Sequence, residues 1–353
     1  MNIANTFISW YHQNKRDLPW RDTKNPYNIW LSEIILQQTR VNQGLQYYYR
    51  FIEQFPNVFS MADASEEEIL KLWQGLGYYS RARNLHHTAQ MVVKECGGAF
   101  PSTYAGLLKL KGIGEYTAAA IASICFNEVV PVVDGNVARV LGRLYAINDP
   151  VNSTKGFKVL KGIAGELILQ DDPATFNQAI MEFGALQCKP VNPECSSCPL
   201  NNKCEALHQK RVNELPVKVA LTKVKDVFIQ YFVIVFGSGN KNYLLLNKRT
   251  SPGIWKNLYD FPSFESEQKV SLEDLLKSNL IAPFLDTGSQ IEGISPEYTH
   301  KLSHRLIHAQ FVKLRMSKKP KNNSSYLMAP LSSVGQYPVP RLIEQYLRDA
   351  GII

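Results

Sequence analysis

Residues 110–136 read LKGIGEYTAAAIASICFNEVVPVVDGN, and this stretch decides how the first part of the chain folds. Gly112 and Gly114 stand one residue apart, between a leucine-rich helical segment and an alanine-rich one. This pattern predicts a tight turn with positive φ that joins two helices. The backbone N–H groups at the start of the second helix suit a phosphate oxygen and read no base. An ordinary corner between two helices fits the same spacing, so the function stays open at this point.

The segment 26–39 reads PYNIWLSEIILQQT, which predicts a helix with an almost wholly apolar middle. Its carboxylate, Glu33, shares a helix face with apolar residues such as Ile29 and Trp30. Partial desolvation favours the neutral, proton-donating form of a carboxylic acid. Glu33 is therefore a candidate acid, unless it turns outward or pairs with an arginine.

The loop 74–83 reads QGLGYYSRAR and places aromatic residues between glycines and two arginines. This composition suits a wedge that enters a base stack while the arginines face phosphates. A turn with two core aromatics and a solvated helix start is the alternative.

Asp134 follows the apolar run 129–133 and precedes a predicted helix over 136–145. Aspartate often caps the N-terminus of a helix by accepting backbone N–H bonds. A capping carboxylate stays ionised and can still present an oxygen to a developing cation. The position therefore allows a structural role, a catalytic role or both.

Four of the six cysteines cluster: Cys188, Cys195, Cys198 and Cys204 are separated by six, two and five residues. A disulfide framework is improbable in a cytosolic chain, which leaves a metal or a cluster. Zinc sites usually come as two short cysteine pairs around a longer spacer, whereas a compact all-cysteine run fits a four-iron, four-sulfur cluster. The spacing favours the cluster, with a zinc knuckle as the alternative.

The chain has 353 residues, which is enough for two domains with substantial cores. Its start has no charged segment followed by an apolar core, and no apolar run approaches membrane-spanning length. The net charge of +8 suits a polyanionic partner. Up to Val212, however, 21 Lys and Arg face 19 Asp and Glu, against 18 and 12 in the rest. If the first part holds DNA, locally placed amides and basic groups must do it.

The composition of the sequence and its predicted secondary structure change after the cysteines. Residues 213–225 are polar, basic and extended, and we expect a linker there. Strands are predicted over 227–236 and 243–248 with a turn at 237–240, and helices over 271–280 and 340–348. The last part of the chain is therefore expected to be an α/β domain.

The hairpin resembles the helix-hairpin-helix of the endonuclease III superfamily of DNA glycosylases, in which a catalytic aspartate follows at about the distance of Asp134. The cysteine spacing resembles that superfamily's cluster pattern. Members that also cut the strand carry a lysine where this chain has Tyr116, and the neutral lysine amine forms a Schiff base with the sugar. Tyrosine cannot do so. Tyr116 and the segment SEIILQQT at 32–39 are similar to the adenine DNA glycosylases of the MutY type.

This resemblance spans nearly the whole chain and implies an α + α/β fold. It implies a mostly helical glycosylase domain at 1–212, with a helix-hairpin-helix at about 104–125 and an iron–sulfur cluster loop at 188–204, then a linker at 213–225 and a Nudix-like recognition domain at 226–353. The segment YDFPSFE at 259–265 lacks the Arg-Glu…Glu-Glu helix of the Nudix catalytic box. The second domain should therefore recognise rather than hydrolyse.

The resemblance also implies an activity, which is hydrolysis of the N-glycosidic bond of adenine opposite 8-oxoguanine or guanine in double-stranded DNA, after base flipping. Catalytic residues would be Glu33, Tyr116, Asp134 and Asn136, and Cys188, Cys195, Cys198 and Cys204 would hold a 4Fe-4S cluster. Substrate and DNA contacts would come from Arg21, Gln38, Thr39, Arg40, Tyr78, Gly112, Gly114, Gln178, Ser303 and His304.

The segment YTHKLSH at 298–304 looks like the family's Phe-Ser-His loop, with Leu302 in place of the Phe. Oxidation turns nitrogen 7 of guanine from an acceptor into an N–H donor, which a small side chain with donor and acceptor can sense. Ser303 and His304 are therefore candidate readers of the lesion. The alternative is a pair of ordinary polar turn residues.

Other functions fit less of the sequence. Tyr116 argues against a bifunctional glycosylase/lyase that acts on oxidised pyrimidines. Glu33 and Asp134 together disfavour a non-catalytic damage-binding protein. An electron carrier would not need a helical scaffold of this size around one cluster. We expect a monomer that has no membrane partner and is cytoplasmic and nucleoid-associated.

Overall fold

The computed structural model describes residues 2–219, 224–238, 241–276, 289–316 and 326–353. They fall into two compact units: Met1–Asp63 with Asn84–Ala220, and Ala64–Arg83 with Leu221–Ile353. Within the described ranges, no helix is both long and apolar enough to cross a membrane.

The first part of the chain is helical. Its helices are α1 Ile3–Asn14, α2 Pro26–Leu36, α3 Val41–Gln54, α4 Val58–Asp63, α5 Glu66–Trp73, α6 Ser80–Cys96, α7 Tyr104–Leu107, α8 Glu115–Phe126, α9 Gly135–Leu144, α10 Thr154–Leu167, α11 Pro173–Leu186 and α12 Glu205–His208. Helix α11 packs against α1, α8 and α9, and α2 packs against α3 and α8. The ring of Phe7 lies 5.0 Å from that of Phe183 and 6.4 Å from that of Phe176, so aromatic contacts join α1 to α11.

The predicted hairpin lies between α7 and α8, and its two glycines differ. Gly112 has φ +80°, and a Cβ there would lie 2.6 Å from the Cβ of Asn84. Gly114 is the N-cap of α8 with φ −89°, so the expectation of positive φ is wrong for this glycine. An N-cap residue has extended backbone, which needs no left-handed conformation.

Helix α2 ends three residues earlier than the sequence pattern predicts. Gln38 has φ +57°, so the chain turns after Leu36 instead of continuing to Thr39. The helix is nonetheless buried along its length, and Glu33 is 8% exposed. The sequence prediction that this carboxylate lies inside the protein is confirmed.

The second unit is built on a sheet. Its strands are β1 Lys225–Ser238, β2 Lys241–Lys248, β3 Tyr259–Asp260, β4 Ser263–Ser266, β5 Gln290–Ile294, β6 Tyr298–Lys301, β7 Arg305–Met316 and β8 Tyr326–Pro330, and its later helices are α13 Leu272–Leu276 and α14 Arg341–Asp349. The path runs β3-β2-β1-β7-β5, and β4, β6 and β8 pair with β1, β7 and β2. Strands β1 and β7 are parallel, and the other pairs are antiparallel. Both predicted strands and the C-terminal helix are found.

Several sequence predictions fall partly on residues outside the described ranges. These are 220–223 of the linker, 239–240 of the turn and 277–280 of the predicted helix over 271–280. Residues 213–219 of the predicted linker belong to the helical unit, where the N–H of Val151 donates to the carbonyl of Val217 over 2.9 Å, whereas Lys225 begins β1.

Helix α5 belongs to the second unit, although the sequence suggested the helical domain for it. Glu67 in α5 accepts hydrogen bonds from Lys248 and from the hydroxyl of Tyr259, each over 3.1 Å. The neighbouring Glu66 accepts one from the side-chain amide of Asn257. Position along the chain could not reveal these contacts, because they join residues more than 180 apart.

Candidate active site

A cavity of about 610 Å³ opens among the helices of the first unit. The predicted site residues that line it are Arg21, Glu33, Thr39, Arg40, Tyr116, Asp134, Asn136 and Gln178. They come from α2, α8, α9 and α11 and from the segments that follow α1 and α2. Residues far apart in the sequence therefore meet at one space large enough for a nucleobase.

Glu33 lies in this cavity in contact with Tyr116. The phenolic hydroxyl of Tyr116 donates to Glu33 Oε2. Burial raises the pKa of Glu33 to about 7; the bond from Tyr116 lowers it and the nearby Asp134 raises it. Burial raises the pKa of Tyr116 well above its ordinary value, and the nearby Glu33 carboxyl raises it further. Near neutral pH, Glu33 can therefore hold a proton and release it.

Asp134 caps α9, as the sequence allowed. Its Oδ1 accepts from the N–H groups of Asn136 (2.9 Å) and Val137 (2.7 Å), and its Oδ2 accepts from Asn136 Nδ2 (2.8 Å). Burial raises the pKa of Asp134 above its ordinary value, while these donors act to lower it. Its oxygens face the cavity from a fixed helix terminus.

Asn136 is held on its other side by Arg139. The guanidinium of Arg139 donates to Asn136 Oδ1 (2.8 Å), to the carbonyl of Gly184 (2.7 Å) and to the carbonyl of Cys188 (2.8 Å). A Cβ on Gly184 would lie 2.7 Å from the Cβ of Asn136. The α9 and α11 backbones thus approach closely behind the Asp134–Asn136 pair.

The opposite wall carries Arg21 and Gln178. Glu182 binds Arg16 (2.6 Å) and Arg21 (2.7 Å), and these bonds set the position of Arg21. Burial alone would raise the pKa of Glu182, but its hydrogen bonds to the two arginines lower it to about 2. Glu182 therefore stays ionised, and Arg21 keeps a fixed counter-ion.

Three predicted DNA-contact residues of the first unit lie off the cavity lining. Gln38 occupies the left-handed turn after α2, and Gly112 and Gly114 form the hairpin ahead of α8. The hairpin ends at the N-terminus of α8, where Gly114 is the N-cap. This geometry suits a phosphate more than a base.

The second unit brings together Tyr78, Ser303 and His304, which line a pocket of about 220 Å³ with Trp255 and Arg83. Tyr78 is 51% exposed and has φ +48°. Its hydroxyl lies 3.0 Å from Ser303 Oγ. Two backbone hydrogen bonds fix the turn that carries Ser303 and His304. Leu302 N–H donates to Arg305 O (2.8 Å), and Lys225 N–H donates to His304 O (3.1 Å).

Comparisons with known proteins match the helical part and the sheet-containing part of the chain separately. A model of the HhH-GPD superfamily of base excision DNA repair proteins matches residues 31–161, and a NUDIX domain model matches residues 231–349. The adenine DNA glycosylase of Buchnera aphidicola subsp. Acyrthosiphon pisum is 34% identical over 346 residues, which cover 97% of this chain and 95% of that relative. The chain belongs to the adenine DNA glycosylase family.

Other adenine DNA glycosylases show the same relationship. That of Buchnera aphidicola subsp. Baizongia pistaciae is 38% identical over 86% of this chain and 83% of its own length. The human adenine DNA glycosylase is 44% identical over 63% of this chain and 42% of its own length. A solved thermostable thymine-DNA glycosylase matches with a TM-score of 0.54 and 28% identity, over 58% of this chain and 95% of its own. The predicted family and the order of a helical and a Nudix-like domain are confirmed.

The superfamily to which this chain belongs generally binds an iron–sulfur cluster. In this chain Cys188, Cys195, Cys198 and Cys204 line one small cavity of about 30 Å³. Arg143 Nη1 lies 3.5 Å from Cys188 Sγ and donates to Lys189 O (2.6 Å). Within the described part of the chain, no group of three or more His, Cys, Asp or Glu is arranged to hold a metal ion.

Sequence reasoning missed several residues that line or support the cavity around Glu33 and the pocket around Tyr78. They are Tyr11, Arg16, Arg83, Arg139, Glu182 and Trp255. A signal existed for two of them, because Glu182 follows Gln178 by four residues and Arg139 follows Asn136 by three on a predicted helix. The others are joined to the sites only by tertiary contacts.

Proposed function

We propose that this member of the family hydrolyses the N-glycosidic bond of adenine paired with 8-oxoguanine, or with guanine, in double-stranded DNA. The observation that carries the proposal is Glu33, a buried carboxyl with a pKa of about 7 in a base-sized cavity shared with Asp134. An acid with such a pKa is suited to general acid catalysis at neutral pH. The protein would act as a cytoplasmic, nucleoid-associated monomer.

The reaction begins with base flipping, because adenine stacked in a duplex cannot reach a cavity in the protein. Glu33 then protonates ring nitrogen 7 of adenine, which makes the base a better leaving group. Asp134 stabilises the positive charge that develops on the sugar as its bond to nitrogen 9 of adenine breaks, as carboxylates do in glycosidases. Water then adds to the anomeric carbon and loses a proton, which completes the hydrolysis. Tyr116 orients Glu33, and Asn136 orients Asp134 through the bonds described above.

Tyr116 supports a monofunctional enzyme. A strand-cutting lyase needs an amine nucleophile, and a tyrosine hydroxyl cannot form a Schiff base. Here that hydroxyl is engaged with Glu33, and its pKa is raised well above the ordinary value. It therefore stays a neutral hydrogen-bond donor.

DNA would be held mostly through its backbone. The amides around Gly112 and Gly114 would bind a phosphate, and Gln38, Thr39 and Arg40 would contact the strand beside the cavity. Tyr78 would enter the base stack as a wedge, since its ring is half exposed on a left-handed turn. Ser303 and His304 would read the oxidised guanine.

The four clustered cysteines would hold a 4Fe-4S cluster. Two observations support this proposal: all four thiols line one cavity, and a guanidinium lies beside one of them to offset thiolate charge. When bound, the cluster would supply four metal–thiolate links that brace the loop 188–204. Purified protein should then be brown and contain about four irons. Stoichiometric zinc without colour would contradict this assignment.

A duplex cleavage assay tests the activity. Substrates carry adenine opposite 8-oxoguanine, adenine opposite guanine, or thymine glycol, each analysed with and without hot alkali. We expect breaks at adenine opposite 8-oxoguanine only after alkali. Breaks at thymine glycol without alkali would indicate a lyase instead, and the absence of excision from every duplex would indicate a non-catalytic binding protein.

A further inference from the structure

A hydrogen bond joins the N-terminal helix to the cavity wall. The hydroxyl of Tyr11 in α1 donates to Oε1 of Gln178 in α11 over 2.6 Å. Tyr11 is buried, and Gln178 lines the cavity. The bond therefore connects a cavity residue to α1, a helix that supplies no catalytic residue in the proposed reaction.

At 2.6 Å the contact has the length of an O–H···O bond and is short for an N–H···O bond, so it favours the orientation in which Oε1 of Gln178 faces Tyr11. The carbonyl oxygen and the NH₂ group of a glutamine are nearly equal in size, so an unrestrained amide can turn over and exchange donor for acceptor. With Oε1 occupied by the Tyr11 hydroxyl, the NH₂ group remains to meet a base in the cavity.

The Tyr11 ring is itself fixed. The guanidinium of Arg21 lies 5.4 Å from its centroid, within the range of a cation–π contact. Arg21 in turn donates to the carbonyl of Arg16 (2.6 Å) and to Glu182 (3.0 Å). Burial raises the pKa of Tyr11, against the effect of Arg21, so its hydroxyl keeps the proton that it donates.

We propose that Tyr11 is a positioning residue that holds the Gln178 amide with its NH₂ group toward the bound base, so that a base with an acceptor at ring nitrogen 1 is preferred. The inference rests on the proposed function, because it takes adenine as the base in this cavity. Adenine has an acceptor at nitrogen 1 and a donor at position 6. Hypoxanthine has the reverse pattern on the same edge, the edge by which flipped bases are commonly read.

The test compares single-turnover excision of adenine and of hypoxanthine, each opposite 8-oxoguanine. Tyr11→Phe removes the hydroxyl and keeps the ring. We expect it to reduce adenine excision roughly three- to tenfold, the scale of one hydrogen bond, with a smaller effect on hypoxanthine. The adenine/hypoxanthine ratio therefore falls. In a Gln178→Met background, Tyr11→Phe should leave the ratio unchanged, because the amide that it orients is gone.

Tyr27→Phe is the matched control. Its buried hydroxyl donates to the carbonyl of Phe55, and Tyr27 does not line the cavity. A structural loss alone would thus reduce stability in both tyrosine variants, whereas only Tyr11→Phe should change the ratio. Thermal unfolding of each variant accompanies the kinetics.

The outcomes separate the two proposals. If the wild-type protein excises no adenine, the proposed function fails. If it excises adenine and Tyr11→Phe keeps the wild-type ratio, the positioning role of Tyr11 is wrong. A further drop in the Gln178→Met background would also overturn it. Should Tyr11→Phe not fold, Gln178→Met alone decides, since an unchanged ratio there contradicts the inference.

Discussion

The cavity around Glu33 and the pocket around Tyr78 are constructed in opposite ways. Glu33 and Tyr116 are on helices and Asp134 caps a helix. Glu33 is buried, Tyr116 and Asp134 are partly buried, and all three are bonded to partners inside their own unit. Tyr78 and Ser303 are on a loop and a turn, and the wedge candidate is half exposed. Proton transfer requires a fixed geometry and a shifted pKa, which burial provides. Contact with a lesion requires accessible groups.

The strongest test of the buried region is Glu33→Gln. This change keeps size and hydrogen bonding and removes the transferable proton. We expect excision to fall by at least about a hundredfold, the lower scale of general acid catalysis, while DNA affinity is retained. Single-turnover kinetics and equilibrium binding measure the two effects. Near-normal excision would remove Glu33 from the mechanism.

The matching test of the exposed region is Ser303→Ala combined with His304→Ala. The preference for 8-oxoguanine over guanine should shrink by roughly 1–3 kcal/mol, the discrimination of a good base contact. The excision rate should stay within about tenfold, since these residues lie in the other unit from Glu33. An unchanged preference would show that other residues read the lesion.

The pH dependence separates the regions further. The pKa of Glu33 is raised by burial to about 7, and its protonated form is the active one under the proposed function. The excision rate should therefore fall about tenfold per pH unit above this value. DNA affinity measured in parallel should not follow the same curve. A rate that rises through pH 7 would mean that Glu33 acts as a base.

The smallest effects come from removing one hydroxyl in each region. The bond from Tyr116 lowers the pKa of Glu33, so Tyr116→Phe should move the falling limb of the pH–rate profile to higher pH. Tyr78→Phe keeps the wedge ring and loses only an exposed contact with Ser303. Its effect on DNA affinity should stay below about threefold, with no shift of the profile. A profile shift in Tyr78→Phe would contradict the separation of the two regions.

Sequence periodicity could predict the burial of Glu33, because an almost wholly apolar helix has no solvent-facing side to offer. It could not predict the bond to Tyr116, which joins residues 83 positions apart. The expectation for Gly114 was wrong because a helix cap and a left-handed turn both favour glycine. The sequence could not predict that α5 belongs to the second unit, because this assignment depends on contacts with Lys248, Asn257 and Tyr259. The roles of the site residues remain predictions.

The superfamily model matches residues 31–161, a stretch that holds Glu33, Tyr116 and Asp134. The wall formed by Arg21, Gln178 and Glu182 comes from outside that stretch, on both sides of it. A fragment trimmed to the matched residues would thus carry the acid and the carboxylate but no means of selecting a base. Under the proposed roles, the choice of adenine depends on residues from both sides of the matched stretch, Tyr11 and Arg21 before it and Gln178 and Glu182 after it.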